Sequence, residues 1–302
     1  MNNNDYDTKE LDVPATSDSV PSPYSSLVEV DWAALSDKGK VRQNNEDHFL
    51  LGKAGRFLDV VSTNLRNGEF PVRSEETGYA MVVADGMGGT EGGEIASRLA
   101  IETLINLVLD LPDWIFRFDR HLAEKVMRRS AERYQMIDAE IGRQAEADPR
   151  LANMGTTMTG AVSLGGDLIV THVGDSRAYL QRQGRLQQLT RDQTLVQSLL
   201  DLGQIAPEEV ASHPMRHVLT QALGQRGGNV RVEVQRIRLK DGDCLLLCTD
   251  GLTEMVPDTQ ISGVISKAEN AEKTCRTLVD MANERGGRDN ITVALARYRF
   301  PQ

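Results

Sequence analysis

Three short apolar segments of this sequence each end in an aspartate at the start of a turn. The three aspartates are Asp85, Asp175 and Asp250. One ending of this kind is weak evidence for a site, because aspartate and glycine are common turn formers. Three such endings raise the question of whether several strands carry their carboxylates to one place.

Two further acidic clusters flank predicted strands. Glu46 and Asp47 precede one strand, and Asp289 precedes the last one. If all these strand ends converge, four to six carboxylates share one cleft, and they cannot all stay ionised there without cations. Oxygen ligands without cysteine or paired histidine favour Mg²⁺ or Mn²⁺. The pattern predicts a two-metal centre, which orients a water, lowers its pKa and neutralises a phosphoryl group.

Six short motifs follow one another along the chain. They are Arg42-Gln43-Asn44-Asn45-Glu46-Asp47, Asp85-Gly86-Met87-Gly88-Gly89, Gly155-Thr156-Thr157, Gly174-Asp175-Ser176-Arg177, Thr249-Asp250-Gly251-Leu252 and Asp289-Asn290. In this order they resemble the metal-dependent serine/threonine protein phosphatases of the type 2C or PPM family, in their bacterial form. The resemblance runs from about residue 30 to residue 299.

The resemblance implies two Mn²⁺ or Mg²⁺ ions, with a third, weaker ion in bacterial members. Asp85 would bridge the two ions, and the carbonyl of Gly86 would bind one of them together with Glu46. Asp250 and Asp289 would complete the other ion.

Three further roles follow from the same resemblance. Asp47 would hydrogen-bond waters at the metals, and Asp175 would bind the third ion. Arg42 would grip the substrate phosphate, and its planar guanidinium suits two phosphate oxygens. Water would attack phosphorus directly, without a phosphoenzyme, so Cys244, Cys248 and Cys275 are predicted to be packing residues.

The proton donor for the leaving group is not assigned by the sequence. Many eukaryotic members carry a histidine directly after the Asp-Gly, and Met87 stands there in this chain. His48 adjoins Asp47, but strand alternation turns its side chain away. His172 lies in a strand and is predicted to be a core histidine. His213 and His217 lie in the segment from 190 to 224, and water at the metals is a further candidate.

The elements that must position these residues are strands joined by hairpins and pairs of amphipathic helices. Apolar spacing predicts helices over residues 91–109, 121–147, 258–266 and 271–284. The fold class is therefore α+β, with an antiparallel sheet core. The resemblance implies a β-sandwich flanked by helix pairs, in four layers α-β-β-α. The alternation of Val230, Val232 and Val234 loses its phase at Ile237, which predicts a bulge or a strand break near Arg236.

The chain divides into a tail and one domain. Residues 1–27 are rich in polar and acidic residues and predict a disordered tail. Residues 28–300 form the phosphatase domain, with a flap at about 190–224 that would select phosphoproteins. Residues 53–78 are either a docking ridge or, as we favour, a solvated insertion with a loop-like part from 64 to 77.

Composition excludes several classes of protein. The chain has 302 residues and a net charge of −10, which argues against nucleic-acid binding. Three cysteines exclude a disulfide scaffold and suit a reducing compartment. No signal peptide and no run of about 18 apolar residues is visible, so we expect no membrane span and a cytoplasmic location.

The sequence leaves four functions to compare. The preferred one is a phosphatase of phosphoserine and phosphothreonine proteins, acting as a monomer on serine/threonine kinases and their substrates. The alternatives are a catalytically inactive scaffold, a hydrolase of another phosphate ester such as a nucleotide, and a plain structural protein. The complete set of acidic residues disfavours the scaffold. The lack of a glycine-rich phosphate loop followed by Lys-Ser/Thr disfavours a nucleotide-binding protein.

Overall fold

A computed structural model of the chain describes residues 7–10, 28–62, 64, 73–88, 92–110, 120–225 and 230–300. Two β-sheets pack face to face, and helices cover both outer faces. In this part of the chain no helix is both long and apolar enough to cross a membrane. The predicted α+β sandwich in four layers is confirmed.

The first sheet has seven strands. They are β1 (Asp7–Glu10), β3 (Asp47–Asp59), β4 (Arg73–Met87), β5 (Gly155–Thr156), β6 (Met158–Leu164), β7 (Asp167–Val173) and β10 (Glu233–Arg238). Their spatial order is β1-β10-β7-β6-β4-β3, and β5 pairs with the end of β4. Except for the parallel pair of β1 and β10, the ladders are antiparallel.

The second sheet has five strands, all antiparallel. They are β2 (Glu29–Asp37), β8 (Arg177–Arg182), β9 (Arg185–Gln188), β11 (Cys244–Cys248) and β12 (Ile291–Arg299). Their spatial order is β2-β12-β11-β8-β9.

The helices form the two outer layers and the flap. They are α1 (Gly92–Leu109), α2 (Arg120–Ala147), α3 (Leu195–Asp201), α4 (Asp250–Thr253), α5 (Asp258–Lys267) and α6 (Ala271–Glu284). Side chains of α1 and α2 pack on the first sheet, and those of α5 and α6 pack on the second. The four long helices lie within a residue of their predicted bounds, since their apolar stripes face a sheet.

β11 shows how one strand serves two layers. All five of its residues are buried. Leu245 and Leu247 fill the space between the sheets, whereas Cys244 and Cys248 face the helices on the same side of the strand. Burial raises the pKa of the Cys248 thiol to about 12, so the predicted packing role of the cysteines agrees with their environment.

The prediction of a bulge or a strand break near Arg236 is wrong. β10 pairs with β7 without interruption from Glu233 to Arg238. Val234 packs toward the helices, and Ile237 packs between the sheets. Both faces of the strand are buried, so the apolar residues change phase although the backbone stays regular.

The prediction of a loop over residues 64–77 is wrong at its C-terminal end. β4 begins at Arg73, and β3 pairs with it residue by residue as far as Asp59. Polar cross-strand neighbours such as Arg56 and Glu76, which form an ion pair of 2.6 Å, take the place of an apolar pattern there. The choice between a docking ridge and a solvated insertion stays open.

The N-terminal tail is described only at Asp7–Glu10, where β1 extends the first sheet next to β10. The sequence did not predict this strand. The rest of the predicted disordered tail lies outside the described residues.

Candidate metal centre

The strand ends converge as the sequence requires for a metal site. Asp47 begins β3 and lies directly opposite Asp85 in β4. Two carboxylates opposite each other on one face repel, unless a cation lies between them. Asp250 follows β11, and Asp289 precedes its antiparallel neighbour β12, so both lie at one end of the second sheet.

Asp47 is held by the second sheet although it belongs to the first. The hydroxyls of Thr249 and Thr292 donate to its Oδ2 at 2.8 and 2.7 Å. Its Oδ1 is buried and has no hydrogen-bond partner. Burial raises the pKa of Asp47 to about 7. The free oxygen therefore suits a cation or a water bound to one. Sequence reasoning missed both threonines.

Asp85 is fixed through its backbone by the Gly-Thr-Thr motif. The Thr156 hydroxyl and the Thr157 amide donate to its carbonyl at 2.8 and 2.9 Å. Burial, followed by the neighbouring charges of Asp47 and Asp250, raises the pKa of Asp85 well above its usual value. This carboxylate needs positive charge nearby to ionise at neutral pH.

Gly86 lies where the backbone of α1 passes the end of β4. A Cβ at Gly86 would stand 2.1 Å from the carbonyl oxygen of Gly93, and one at Gly93 would stand 2.5 Å from Oε2 of Glu46. Both glycines are therefore required by close approach, and Gly93 is a position that sequence reasoning missed. Burial raises the pKa of Glu46.

Asp250 and Asp175 meet at the side of the site nearest the flap. Asp250 Oδ1 is buried without a hydrogen-bond partner. Burial, then the charge of Asp175, raises its pKa well above the ordinary range. Gln193 holds the turn before Asp175, since its side-chain oxygen accepts from the Gly174 amide at 2.8 Å. Burial raises the pKa of Asp175 to about 7.

Asp289 and Arg42 form the opposite side. Arg42 donates to Asp289 Oδ2 at 2.6 Å, and the arginine side chain is 54% exposed. Asn290 connects the same loops, accepting from the Glu46 amide at 2.8 Å and donating to the Asn44 carbonyl at 2.9 Å. Arg42 can therefore reach both a metal ligand and the solvent side of the cleft.

The flap contributes a group that the sequence did not single out. Donor atoms of His217, Asp250 and Glu254 lie within 4.8 Å of one another and could hold a metal ion. His217 Nδ1 is 3.0 Å from Glu254 Oε1. The available sequence signal was the four-residue spacing of Asp250 and Glu254 on a helical turn. The third ion predicted at Asp175 stays a prediction.

Two other histidines turn away from the carboxylates. His48 bonds to the hydroxyl of Ser97 on α1 at 2.9 Å, which agrees with its predicted direction. His172 is buried and bonds to Thr159 and to the Arg191 carbonyl. Burial lowers the pKa of His172 to about 4, so it is a neutral core residue at pH 7.

The predicted site residues thus share one edge of the sandwich. These are Arg42, Glu46, Asp47, Asp85, Gly86, Asp175, Asp250 and Asp289. Among the ion pairs of the described residues, only that of Arg42 with Asp289 neutralises one of these carboxylates. Unpartnered buried carboxylate oxygens and an all-oxygen donor set fit Mn²⁺ or Mg²⁺.

Comparison with known proteins agrees with this geometry. The family model for protein phosphatase 2C matches residues 69–296. The serine/threonine phosphatase stp of Listeria welshimeri is 32% identical over 267 residues, which cover 88% of this chain and 95% of that protein. The serine/threonine protein phosphatase PstP of Mycobacterium tuberculosis is 37% identical over the same share of this chain, which spans 44% of that longer protein.

Solved structures show the same fold. The crystal structure of the M. tuberculosis phosphatase PstP superimposes with a TM-score of 0.72 at 34% identity, covering 89% of this chain and 99% of that one. A structure of the PstP catalytic domain in complex with two manganese ions gives a TM-score of 0.71 at 32% identity, covering 90% and 99%.

Proposed function

Because the chain belongs to the protein phosphatase 2C family, we propose that it hydrolyses phosphoserine and phosphothreonine in proteins with a metal-activated water. One observation carries the proposal. Carboxylates from both sheets meet at one edge, and two of them, Asp47 and Asp250, keep a buried oxygen without a hydrogen-bond partner. That arrangement is costly for a merely structural protein and is suited to a pair of divalent ions.

The proposed ligands divide between the two sides of the cleft. Asp85 lies between them and would hold both ions. Glu46 and the Gly86 carbonyl would hold one ion, and Asp250 and Asp289 the other. When bound, Mn²⁺ or Mg²⁺ would lower the pKa of a water and neutralise charge on the phosphoryl group.

Asp47 orients the attacking water in this proposal. Its Oδ2 is occupied by two threonine hydroxyls, so its Oδ1 is left to accept from a water in the cleft. Arg42 would position the phosphate, since its exposed guanidinium can present two N–H groups to two phosphate oxygens. Met87 has no proton to donate. In this proposal a water in the cleft gives the leaving serine or threonine oxygen its proton.

We extend the proposal to partners and location. Phosphoserine and phosphothreonine proteins are made by serine/threonine kinases, so these kinases and their targets are the proposed substrates. The protein would act as a monomer in the cytoplasm, where its three buried free thiols remain reduced. Neither nucleic acid nor a membrane is a proposed partner.

The test is phosphate release from a phosphothreonine peptide by protein stripped with EDTA and reloaded with Mn²⁺ or Mg²⁺. We expect turnover only after metal is added. A nucleoside monophosphate and p-nitrophenyl phosphate are run beside the peptide. Faster turnover of the nucleotide would favour the other phosphate-ester hydrolase, and no turnover of any substrate by folded, metal-loaded protein would favour the scaffold.

A further inference from the structure

Two loops beside Asp289 carry an unusual concentration of positive charge. We call them the basic rim, defined as residues 38–43 and 285–288. The rim contains five basic residues, Lys38, Lys40, Arg42, Arg285 and Arg288, against three acidic residues that directly adjoin it, Asp37, Glu284 and Asp289, in a chain whose net charge is −10. A local charge opposite to that of the whole protein indicates a surface that attracts anions.

The two loops are tied to each other and to the metal centre. The Lys40 amide donates to the Gly287 carbonyl at 2.7 Å, and Asn290 donates to the Lys38 carbonyl at 2.9 Å. Gly39 has a φ of 75°, and a Cβ there would stand 2.2 Å from the Asp289 carbonyl oxygen. The backbone of the basic rim is therefore held at a fixed distance from a proposed metal ligand.

Three side chains of the rim are free to meet a ligand. Lys38, Lys40 and Arg288 are exposed, and within the described parts of the chain they make no side-chain hydrogen bond or ion pair. Arg285 differs, because its guanidinium donates to the Met255 carbonyl and to Gln260. Arg42 is joined to Asp289.

The opposite wall of the cleft differs in its described residues. The flap side chains Arg216 and His217 both lie against Glu254, at 3.8 and 3.0 Å. Within the described residues, an anionic ligand that extends from the metal centre toward the basic rim therefore meets unpaired cations, whereas Arg216 beside the flap already has an acidic partner.

We propose that the basic rim binds an anionic group close to the phosphorylated residue, so that the enzyme prefers acidic phosphopeptides. The proposal rests on the proposed phosphatase function and names its substrate class. Lys40 is two residues from Arg42, so their Cα atoms are at most about 7 Å apart, which is also the span of two residues in an extended peptide. Arg288 follows Gly287, whose carbonyl accepts from the Lys40 amide, so the proposal assigns Lys40 and Arg288 to substrate positions one to three residues from a phosphate held by Arg42. The anion is a carboxylate or a second phosphate.

The experiment compares kcat/KM for four phosphothreonine peptides of one length. One has neutral flanking residues, one has glutamates, one has a non-hydrolysable phosphonate, and one has lysines. We expect kcat/KM for an anionic peptide to exceed that for the neutral peptide by about tenfold, mainly through KM, since each exposed charge pair contributes a modest amount. The advantage should shrink at about 0.5 M salt, where screening shortens the range of charge interactions.

Substitutions at Lys40 and Arg288 test the contribution of the basic rim to this preference. Lys40→Ala with Arg288→Ala should reduce the ratio of anionic to neutral kcat/KM to about two or less. Lys40→Glu with Arg288→Glu should invert it in favour of the lysine peptide. The matched control, Lys240→Ala with Lys267→Ala, removes two exposed lysines at the far end of the sandwich and should keep the native ratio. The ratio cancels any change in folded fraction or metal loading.

The outcomes separate the rim from the proposed function. A preference for the glutamate peptide supports carboxylate recognition, and one confined to the phosphonate peptide supports recognition of a second phosphate. Equal kcat/KM for the neutral and both anionic peptides overturns the proposal that the basic rim binds an anionic group. A native ratio of anionic to neutral kcat/KM in the Lys40→Ala, Arg288→Ala variant overturns it as well. Failure to hydrolyse p-nitrophenyl phosphate and every peptide overturns the phosphatase proposal itself.

Discussion

Two groups of aspartates lie at opposite ends of the β-sandwich, and their charges are compensated in different ways. β7 begins at Asp167 and leads to the turn of Asp175, while β11 follows Asp243 and leads to Asp250. At the first end the carboxylates are paired with arginines. At the second end they face one another.

The paired end is complete without any ion. Asp167 is 1% exposed and accepts from Arg236 at 2.7 Å and Arg238 at 2.9 Å. Asp243 is also 1% exposed and receives two bonds from Arg182, at 2.8 and 2.6 Å. These arginines supply the positive charge and the hydrogen bonds that a buried carboxylate needs.

The facing end has the same residue type but little positive charge of its own, and its Asp85, Asp175 and Asp250 are half-buried. Asp47 is 5% exposed, and its partners are two neutral hydroxyls. The difference shows that the strands can hold a buried aspartate in either state. The scarcity of arginine partners among the described residues of this end supports the proposed metal centre.

The largest expected effect comes from removing a carboxylate at the facing end. Asp250→Ala should lower kcat on a phosphothreonine peptide in Mn²⁺ by about 10³-fold or more, because one metal ion loses a proposed ligand. Steady-state phosphate release measures it. Asp280→Ala removes an exposed acid of α6 and should retain native kcat. Native activity in Asp250→Ala would show that the facing carboxylates are not the catalytic centre.

A substitution at the paired end should lower the free energy of unfolding without changing kcat. Asp243→Ala leaves the mostly buried Arg182 without its partner and should lower the free energy of unfolding by about 3 kcal/mol. Urea titration measures the change, and kcat per folded molecule should stay native. Asp241→Ala, an exposed neighbour, should cost less than about 1 kcal/mol. A similar loss from both substitutions would remove the contrast between the two ends.

The pH dependence of the metal-free protein should reveal the unpaired end. The pKa of Asp47 is about 7 in the folded state and about 4 when unfolded, so the folded state binds the extra proton between these values. Its contribution is present at low pH and is lost as pH rises toward 7. Urea titrations in EDTA should therefore find native protein losing on the order of 2 kcal/mol relative to Asp47→Asn from pH 5 to pH 7.

The comparison with Asp47→Asn is needed because His172 acts in the other direction. Burial lowers the pKa of His172 to about 4, so its contribution is present above its unfolded pKa and is lost as pH falls. Native protein and Asp47→Asn both carry this histidine, so its contribution cancels in the difference between their free energies of unfolding. Adding Mn²⁺ at pH 7 should restore the free energy of unfolding that the native protein loses in EDTA. A constant difference between native protein and Asp47→Asn across this range would refute the raised pKa.

The smallest expected effect concerns the neutral partners of Asp47. Thr292→Val removes one of the two hydroxyls on Oδ2 while keeping the shape of the side chain, and should weaken Mn²⁺ binding by about tenfold. Calorimetric titration with Mn²⁺ measures it. Thr277→Val, on the exposed face of α6, is the matched control. Unchanged affinity in Thr292→Val would mean that Asp47 needs no second donor.

The sequence alone determined the class of the fold and was enough to propose the chemistry of the site. Each proposed ligand lies in a short motif at the end of an apolar run, so residue type and order along the chain were enough to predict Asp85 or Asp250. The amphipathic helices were predictable for a similar reason, since an apolar stripe repeats within a few residues and depends on local spacing.

Only the tertiary structure decided how the carboxylates are supported. Thr292 reaches Asp47 across 245 residues of sequence, and Gly93 meets Gly86 because a helix start crosses a strand end. The strand at Arg73–Met87 and the regular β10 likewise depend on which neighbours cover each face. Local patterns report burial but not the identity of the covering partner. Partners distant in sequence become neighbours only when the sheets pack.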